Sequence, residues 1–288
     1  MKKSLWIALV LLFQTSVFAE QHPFQISIIG DPIVYQSYLQ LVEEKGGDPM
    51  AISDYRSSYS FRPSISLLLL KQALTLGGLD FEFDFVASTT PARNIRMVKS
   101  GSVLLLASDM WISEFDNTVN RSLPVVKKGE LTKGFFVHED SPLLERAWSL
   151  TDIREAKVLV EKTWYNDIEV LEAHGFSNIQ FANRADAILT MVKRGRADFA
   201  FFEFPDNQQL AIDHPNGRFL PISDWRVNFQ QSRHFMVSKN HPLSEMVSEA
   251  LDRGMIELQE RGSLQKALEA AGVLNPRVAA WQAVPVSQ

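Results

Sequence analysis

The chain has 288 residues, 45% of them hydrophobic and 22% charged, with a formal net charge of −5 and no cysteine. That length and apolar content suit two lobes of ordinary domain size, while the missing thiols exclude disulfides, a cysteine nucleophile and a thiolate metal site. The acidic balance argues against nucleic acid and anionic membrane as partners.

Residues 1–19 read as a secretory signal. Lys2 and Lys3 form a basic start, 5–13 an apolar stretch too short to span a bilayer comfortably, and Val17-Phe18-Ala19 a small-residue cleavage site. No cysteine follows to carry a lipid, and no later run reaches about 18 apolar residues, so the expectation is a soluble, periplasmic protein. Losing Lys2 and Lys3 takes the net charge from −5 to −7.

Residues 24–30, FQISIIG, form a first strand that ends in Gly-Asp-Pro. The spacing of Val34, Tyr38, Leu41 and Val42 predicts a helix over 33–44, and the polar stretch 45–60 a loop. Pro63 suits a helix's first turn, and the helix runs through Ile65, Leu68, Leu69 and Leu74 to Gly77. Phe81, Phe83 and Phe85 alternate with Glu82 and Asp84, the period of a half-exposed strand at a sheet edge. Pro91 opens another helix, and 110–120 reads as irregular. Residues 131–138 read as a strand-like link, 149–154 as a turn or short helix, and 157–160 as a strand. Thr163 is placed as the cap of a helix that stops at Gly175, and 179–182 is another strand. Residues 233–239 read as a second linking strand. Helices follow over 242–261, on the strength of Leu243, Met246, Val247, Leu251, Ile256 and Leu258, and over 263–271. Residues 275–288 receive no assignment.

One phrase occurs twice. ARNIRMVKSGSVLLLASD (92–109) and NRADAILTMVKRGRADFAFFE (183–203) each give a helix, a glycine stop and a buried run. Asn183 is the expected cap of the second helix. An acid stands eight residues after the glycine in each copy, Asp109 after Gly101 and Glu203 after Gly195. Two copies suggest two similar α/β lobes. An acid at the carboxyl end of a buried parallel strand lies where ligands bind in open α/β sheets.

With these phrases, the SLTDI turn at 149–153, GRAD at 195–198 and VSKNHPLSEMVSEALDRGMIELQERGSLQKAL at 237–268, the chain resembles the type II periplasmic solute-binding proteins, most closely the family-3 group that includes amino-acid binders. The resemblance covers about 24–272. It implies an α/β fold of two lobes, each a mostly parallel sheet flanked by helices, joined by two crossing strands near Lys133–Val137 and His234–Val237. The corresponding division is lobe one over 20–133, lobe two over 134–235, and a return to lobe one over 236–288. By resemblance, Glu203 pairs with a ligand ammonium and Thr163 begins the helix whose N–H groups face an anion. The family's S-x-T-x-x-R segment, whose Arg clamps a carboxylate, is replaced here by Ser108-Asp109-Met110-Trp111-Ile112-Ser113, with no Arg until Arg121. That departure points away from an ordinary α-amino acid.

Asp109 is the second acid expected at the cleft. Trp111, Trp164 and Tyr165 are aromatic candidates on cleft loops, able to stack on a ring or hold a cation. Tyr35 and Arg93 are added by loop position. No GxSxG, HExxH, P-loop or GxGxxG occurs and the six histidines are scattered, so no metal or cofactor is expected. The reading is a monomeric, non-enzymatic binder that presents a small polar solute to a membrane permease or a sensor. The competing reading is a dehydratase-like periplasmic enzyme on the same fold, with Glu203 or Asp109 as acid or base.

Overall fold

The computed structural model describes residues 24–287, and the signal segment lies outside them. The chain opens with β1 (Phe24–Gly30), α1 (Pro32–Glu44), α2 (Arg62–Leu76), β2 (Phe81–Ala87) and α3 (Pro91–Lys99). Then come β3 (Leu105–Leu106), β4 (Met110–Trp111) and β5 (Val119–Val126). β6 (Thr132–His138), α4 (Leu150–Glu155), β7 (Val158–Glu161), α5 (Tyr165–Ala173), β8 (Ile179–Ala182), α6 (Ala185–Lys193) and β9 (Phe199–Glu203) follow. The remainder is β10 (Ile212–His214), β11 (Gly217–Pro221), β12 (Trp225–Asn228), β13 (Arg233–Ser238), α7 (Ser244–Glu260), α8 (Ser263–Ala270) and β14 (Gln282–Ala283).

These elements make two sheets of matching design. The first runs β2-β1-β3-β13-β4, with β5 also on β13. The second runs β10-β11-β6-β9-β7-β8, with β12 on β6. In the first, β1 lies parallel between β2 and β3, and β13 closes on β3 antiparallel. In the second, β7 lies parallel between β8 and β9, and β6 closes on β9 antiparallel. The two repeated phrases therefore supply equivalent parts, α3–β3 and α6–β9, each delivering a third strand to its lobe. Gly101 and Gly195 both take positive φ, +83° and +69°, at the turn between helix and strand. The alternating strand β2 is at the sheet edge, as its pattern predicts. β9 is apolar because it lies between β7 and β6, although only β7 runs parallel to it.

Lobe one is built on α2, no residue of which is exposed. Ile65, Leu67, Leu68, Leu69, Leu70, Ala73 and Leu74 are all fully buried, as a helix covered on every side must be. α7 crosses it at backbone range. A Cβ on Gly77 would overlap the Ala250 carbonyl, and one on Gly254 would overlap the Ala73 carbonyl. On α7 the buried stripe is Val247, Ala250, Leu251, Met255 and Leu258, whereas Met246 and Ile256 face outward.

The expected crossing segments Lys133–Val137 and His234–Val237 lie inside β6 and β13, one in each lobe's sheet. The chain instead passes between lobes at 127–131 and 229–232. There the two segments hold each other: Gly129 N–H donates to the Phe229 carbonyl (2.9 Å) and Phe229 N–H to the Leu131 carbonyl (3.0 Å). Aromatic rings continue the core through this point. Trp111 stacks on Phe229 with centroids 5.2 Å apart, and Phe229 stacks on Phe201 at 6.2 Å.

Residues 275–287 reach lobe two. Asn275 Nδ2 donates to the carbonyls of Phe204 (3.4 Å) and Pro205 (3.2 Å), β14 pairs with β12, and Val284 is buried. Arg226 donates to the carbonyls of Trp281 and Ala279, and Arg154 to that of Pro285. The expected helix caps differ. α5 starts at Tyr165 after Trp164, and the Thr163 hydroxyl donates instead to Glu161 (2.6 Å). α6 starts after Arg184 rather than Asn183, and Arg184 forms an ion pair with Asp186.

Candidate functional site

Asp109 follows β3 and Glu203 ends β9, the equivalent strands of the two lobes, and the structure brings them to one guanidinium. Arg62, the first residue of α2, donates Nε to Glu203 Oε1 (3.1 Å) and Nη1 to Asp109 Oδ1 (3.1 Å) and Oδ2 (3.4 Å). Asp109 is fully buried. It also takes Arg233 Nε on Oδ2, Arg233 Nη2 on its carbonyl (2.7 Å), and the Ser66 hydroxyl on Oδ1. Across β6 and β9, Lys133 is the register partner of Glu203, and its ammonium pairs with Asp167 of α5. The result is an alternating chain of six charges: Arg233, Asp109 and Arg62 from lobe one, and Glu203, Lys133 and Asp167 from lobe two.

Burial alone would raise both bridging acids, but the cations outweigh it. Arg233 and Arg62 hold Asp109 well below the usual carboxylate range, and Arg62 and Lys133 hold Glu203 below its own. Burial opposes the charge on Arg62, yet Asp109 and Glu203 raise its pKa. Arg233 is lowered by burial and by neighbouring Arg62 against the pull of Asp109; an arginine keeps its charge regardless.

The predicted aromatics divide. Trp111 is buried, with the Arg233 guanidinium 4.3 Å from its ring centroid, and stacks on Phe229 of the interlobe segment. Trp164 is half-buried, with the Lys133 ammonium 4.9 Å from its ring and Phe202 edge-on at 5.7 Å. These two therefore adjoin the ionic chain. Tyr165, at the start of α5, is 64% exposed. Thr163 is exposed and engaged by Glu161. Tyr35 and Arg93 are in helices rather than loops: Tyr35 in α1 stacks on Phe85 at 4.0 Å, and Arg93 is an exposed residue of α3.

Sequence reading missed Arg62, Arg233 and Lys133. Arg62 carried one available signal. A cation in a helix's first turn opposes the helix dipole, and α2 has no acid in that turn, so its counter-charge has to come from elsewhere. A second link lies nearby: Arg56 Nε donates to Asp206 (2.9 Å), which also takes Arg277 (2.9 Å). Two hollows lie away from the ionic chain, one of about 700 Å³ beside Phe115, Asn120 and Asp252, the other of about 390 Å³ beside Arg56, Asp206 and Arg277.

Among the described residues, no cluster of histidine and acidic side chains could hold a metal, and no helix is long and apolar enough to cross a membrane. No protein-family model matches the chain, and no curated protein matches its sequence. Solved structures do match. The ligand-binding core of GluR0 from Nostoc punctiforme, in complex with L-glutamate, is 15% identical, with 86% of this chain and 98% of that one covered at a TM-score of 0.51. The amino-acid ABC transporter substrate-binding protein AbpA from Streptococcus pneumoniae, bound to L-arginine, is 16% identical over 90% and 97%, at 0.54. The periplasmic VFT2 domain of Bordetella pertussis BvgS is 13% identical over 88% and 93%, at 0.54. The chain thus has the two-lobed α/β fold of the type II periplasmic binding proteins, the fold its sequence resembles.

Proposed function

We propose that this chain is a binding protein that captures a small polar solute between its lobes and presents it to a membrane permease or a sensor. In this reading 1–19 are removed on export, and the mature protein works as a periplasmic monomer. The observation that carries it is the convergence of ionised side chains from both lobes on one junction: Arg62 and Asp109 from one side, Glu203 and Lys133 from the other. The fold, and the solutes held by proteins that share it, support the same reading. Six charges of alternating sign suit a solute that carries both signs. Glu203, whose side chain keeps 23% exposure, is the lobe-two contact. Asp109, saturated by its partners, positions the two arginines. Trp164, Tyr165 and Thr163 form the lobe-two rim. Acid–base chemistry is disfavoured, because both acids are held ionised below their ordinary range, whereas a general acid or base works best near the operating pH.

Thermal melting with pooled amino acids, polyamines and small sugars tests this, since a solute that binds only the folded state raises the midpoint by mass action. One pool should raise it for the wild type and raise it less for Glu203→Gln. No shift with any pool counts against the reading.

A further inference from the structure

We propose that the cleft contains a guanidinium site which the chain fills with its own Arg62, so that the lobes close without any solute. The proposal rests on the cleft being the ligand site, but its test does not depend on which solute that site takes.

Two acids at equivalent places in the two lobes meet a single planar cation. Nε faces lobe two and Nη1 faces lobe one, so one guanidinium spans the junction with separate donors. A lysine ammonium is a compact point charge and lacks that fork. The geometry is that of a bound cationic ligand, with the difference that the cation is tethered to α2. Its tether is firm on the lobe-one side. Ser64 fixes the helix start, accepting from Phe61 N–H (3.2 Å) and donating to the Tyr59 carbonyl (2.6 Å). The preceding segment is pinned by buried Tyr55 on Gln72 (3.0 Å) and by Ser57 on Glu44 (2.7 Å). The same segment sends Arg56 across to Asp206. A rigid strap of lobe one therefore reaches lobe two twice, once at the surface and once in the cleft. Without Arg62, Asp109 would keep Arg233 as partner, but Glu203 would lose the only ion pair it makes within 4 Å among the described residues. Deleting the Arg62 side chain should leave a hole with the shape of a guanidinium and the opposite charge, supplied by Glu203 and Asp109.

The mature protein, its Arg62→Ala and Arg62→Lys variants, and the double variant Arg62→Ala with Glu203→Gln are compared by small-angle scattering and thermal melting. Ethylguanidine is the probe and ethylammonium the control at equal ionic strength. The wild type without solute should be compact and should not respond to ethylguanidine. Arg62→Ala should expand, and ethylguanidine should restore its radius and raise its midpoint saturably, with an apparent affinity at least ~10-fold tighter than for the wild type, a gap of about 1.4 kcal/mol. Ethylammonium should not do this, and adding Glu203→Gln should abolish the rescue. Arg62→Lys, which retains the charge but is shorter and lacks the fork, should also expand, and it serves as the test if Arg62→Ala does not fold. An open wild type without solute, compact Arg62 variants, or ethylguanidine acting equally on wild type and Arg62→Ala would each overturn the proposal. A wild type that binds no pooled solute while Arg62→Ala is rescued would leave the guanidinium site standing and remove the transport or sensing role.

Discussion

Asp109→Asn is the substitution with the largest consequence for stability. The carboxylate is fully buried, accepts from Arg62, Arg233 and Ser66, and neutralises two guanidiniums at once. Asparagine keeps the shape, removes the charge, and turns an NH₂ toward donors. Breaking a buried ion pair by removing one partner costs about 3–5 kcal/mol, because the other charge is left buried and unpaired. Here Arg62 can fall back on Glu203 and keeps 18% side-chain exposure, whereas Arg233 keeps 6% and, among the described residues, has no other acid within 4 Å. The uncompensated charge is therefore Arg233, and the loss should lie near 3 kcal/mol, the lower part of that range. Urea unfolding followed by tryptophan fluorescence reads it directly, since Trp111 lies against Arg233. A loss under about 1 kcal/mol, the scale of an exposed pair, would refute the reasoning. Asp206→Asn is the contrast: its partners Arg56 and Arg277 are 71% and 44% exposed, so its denaturation midpoint should not move measurably.

Gly254→Ala should destabilise lobe one by about 3 kcal/mol or more, since the new Cβ meets the Ala73 backbone carbonyl and helices α2 and α7 must separate; calorimetric melting checks this. The melting midpoint should fall on acidification in two stages. His234 is held below its ordinary 6.5 by burial, so stability declines first below pH 6.5; Glu203 and Asp109, held below 4.5 and 3.8, make the fall steeper below about pH 4.5. Arg62→Gln should flatten that second stage, because it removes part of what depresses both acids. Deleting 275–288 should lower the midpoint of lobe two and leave α2 and α7 as protected from hydrogen exchange as before, because the segment's contacts fall on β12, α5 and Phe204.

The parts of this molecule that were legible in its sequence are those whose signal is local. The apolar runs that became β1, β7 and β9, the alternating Phe81, Phe83 and Phe85, and the two glycine stops each carry their structure within a few residues. The two acids could be placed at strand ends for the same reason. What was not legible depends on partners remote in sequence. Arg62 lies 47 residues from Asp109 and 141 from Glu203, and nothing beside it names either acid. β14 is two residues long and exists because β12 lies alongside. The crossings were placed too far along because β6 and β13 look like continuous links, while the chain changes lobe in the short segments before them. Thr163 and Asn183 have the right chemistry for caps, but each helix starts one or two residues later, where the backbone turns.

We propose above that a solute is held between the lobes at the junction of Arg62, Asp109, Glu203 and Lys133. Native mass spectrometry of the mature protein, mixed with amino acids, polyamines and small sugars, tests it most directly. One solute per chain should appear as an adduct, weakened in Glu203→Gln and unchanged in Arg184→Gln on the exposed face of lobe two. An adduct of equal intensity in wild type and Glu203→Gln, or no adduct from any solute class, would contradict it.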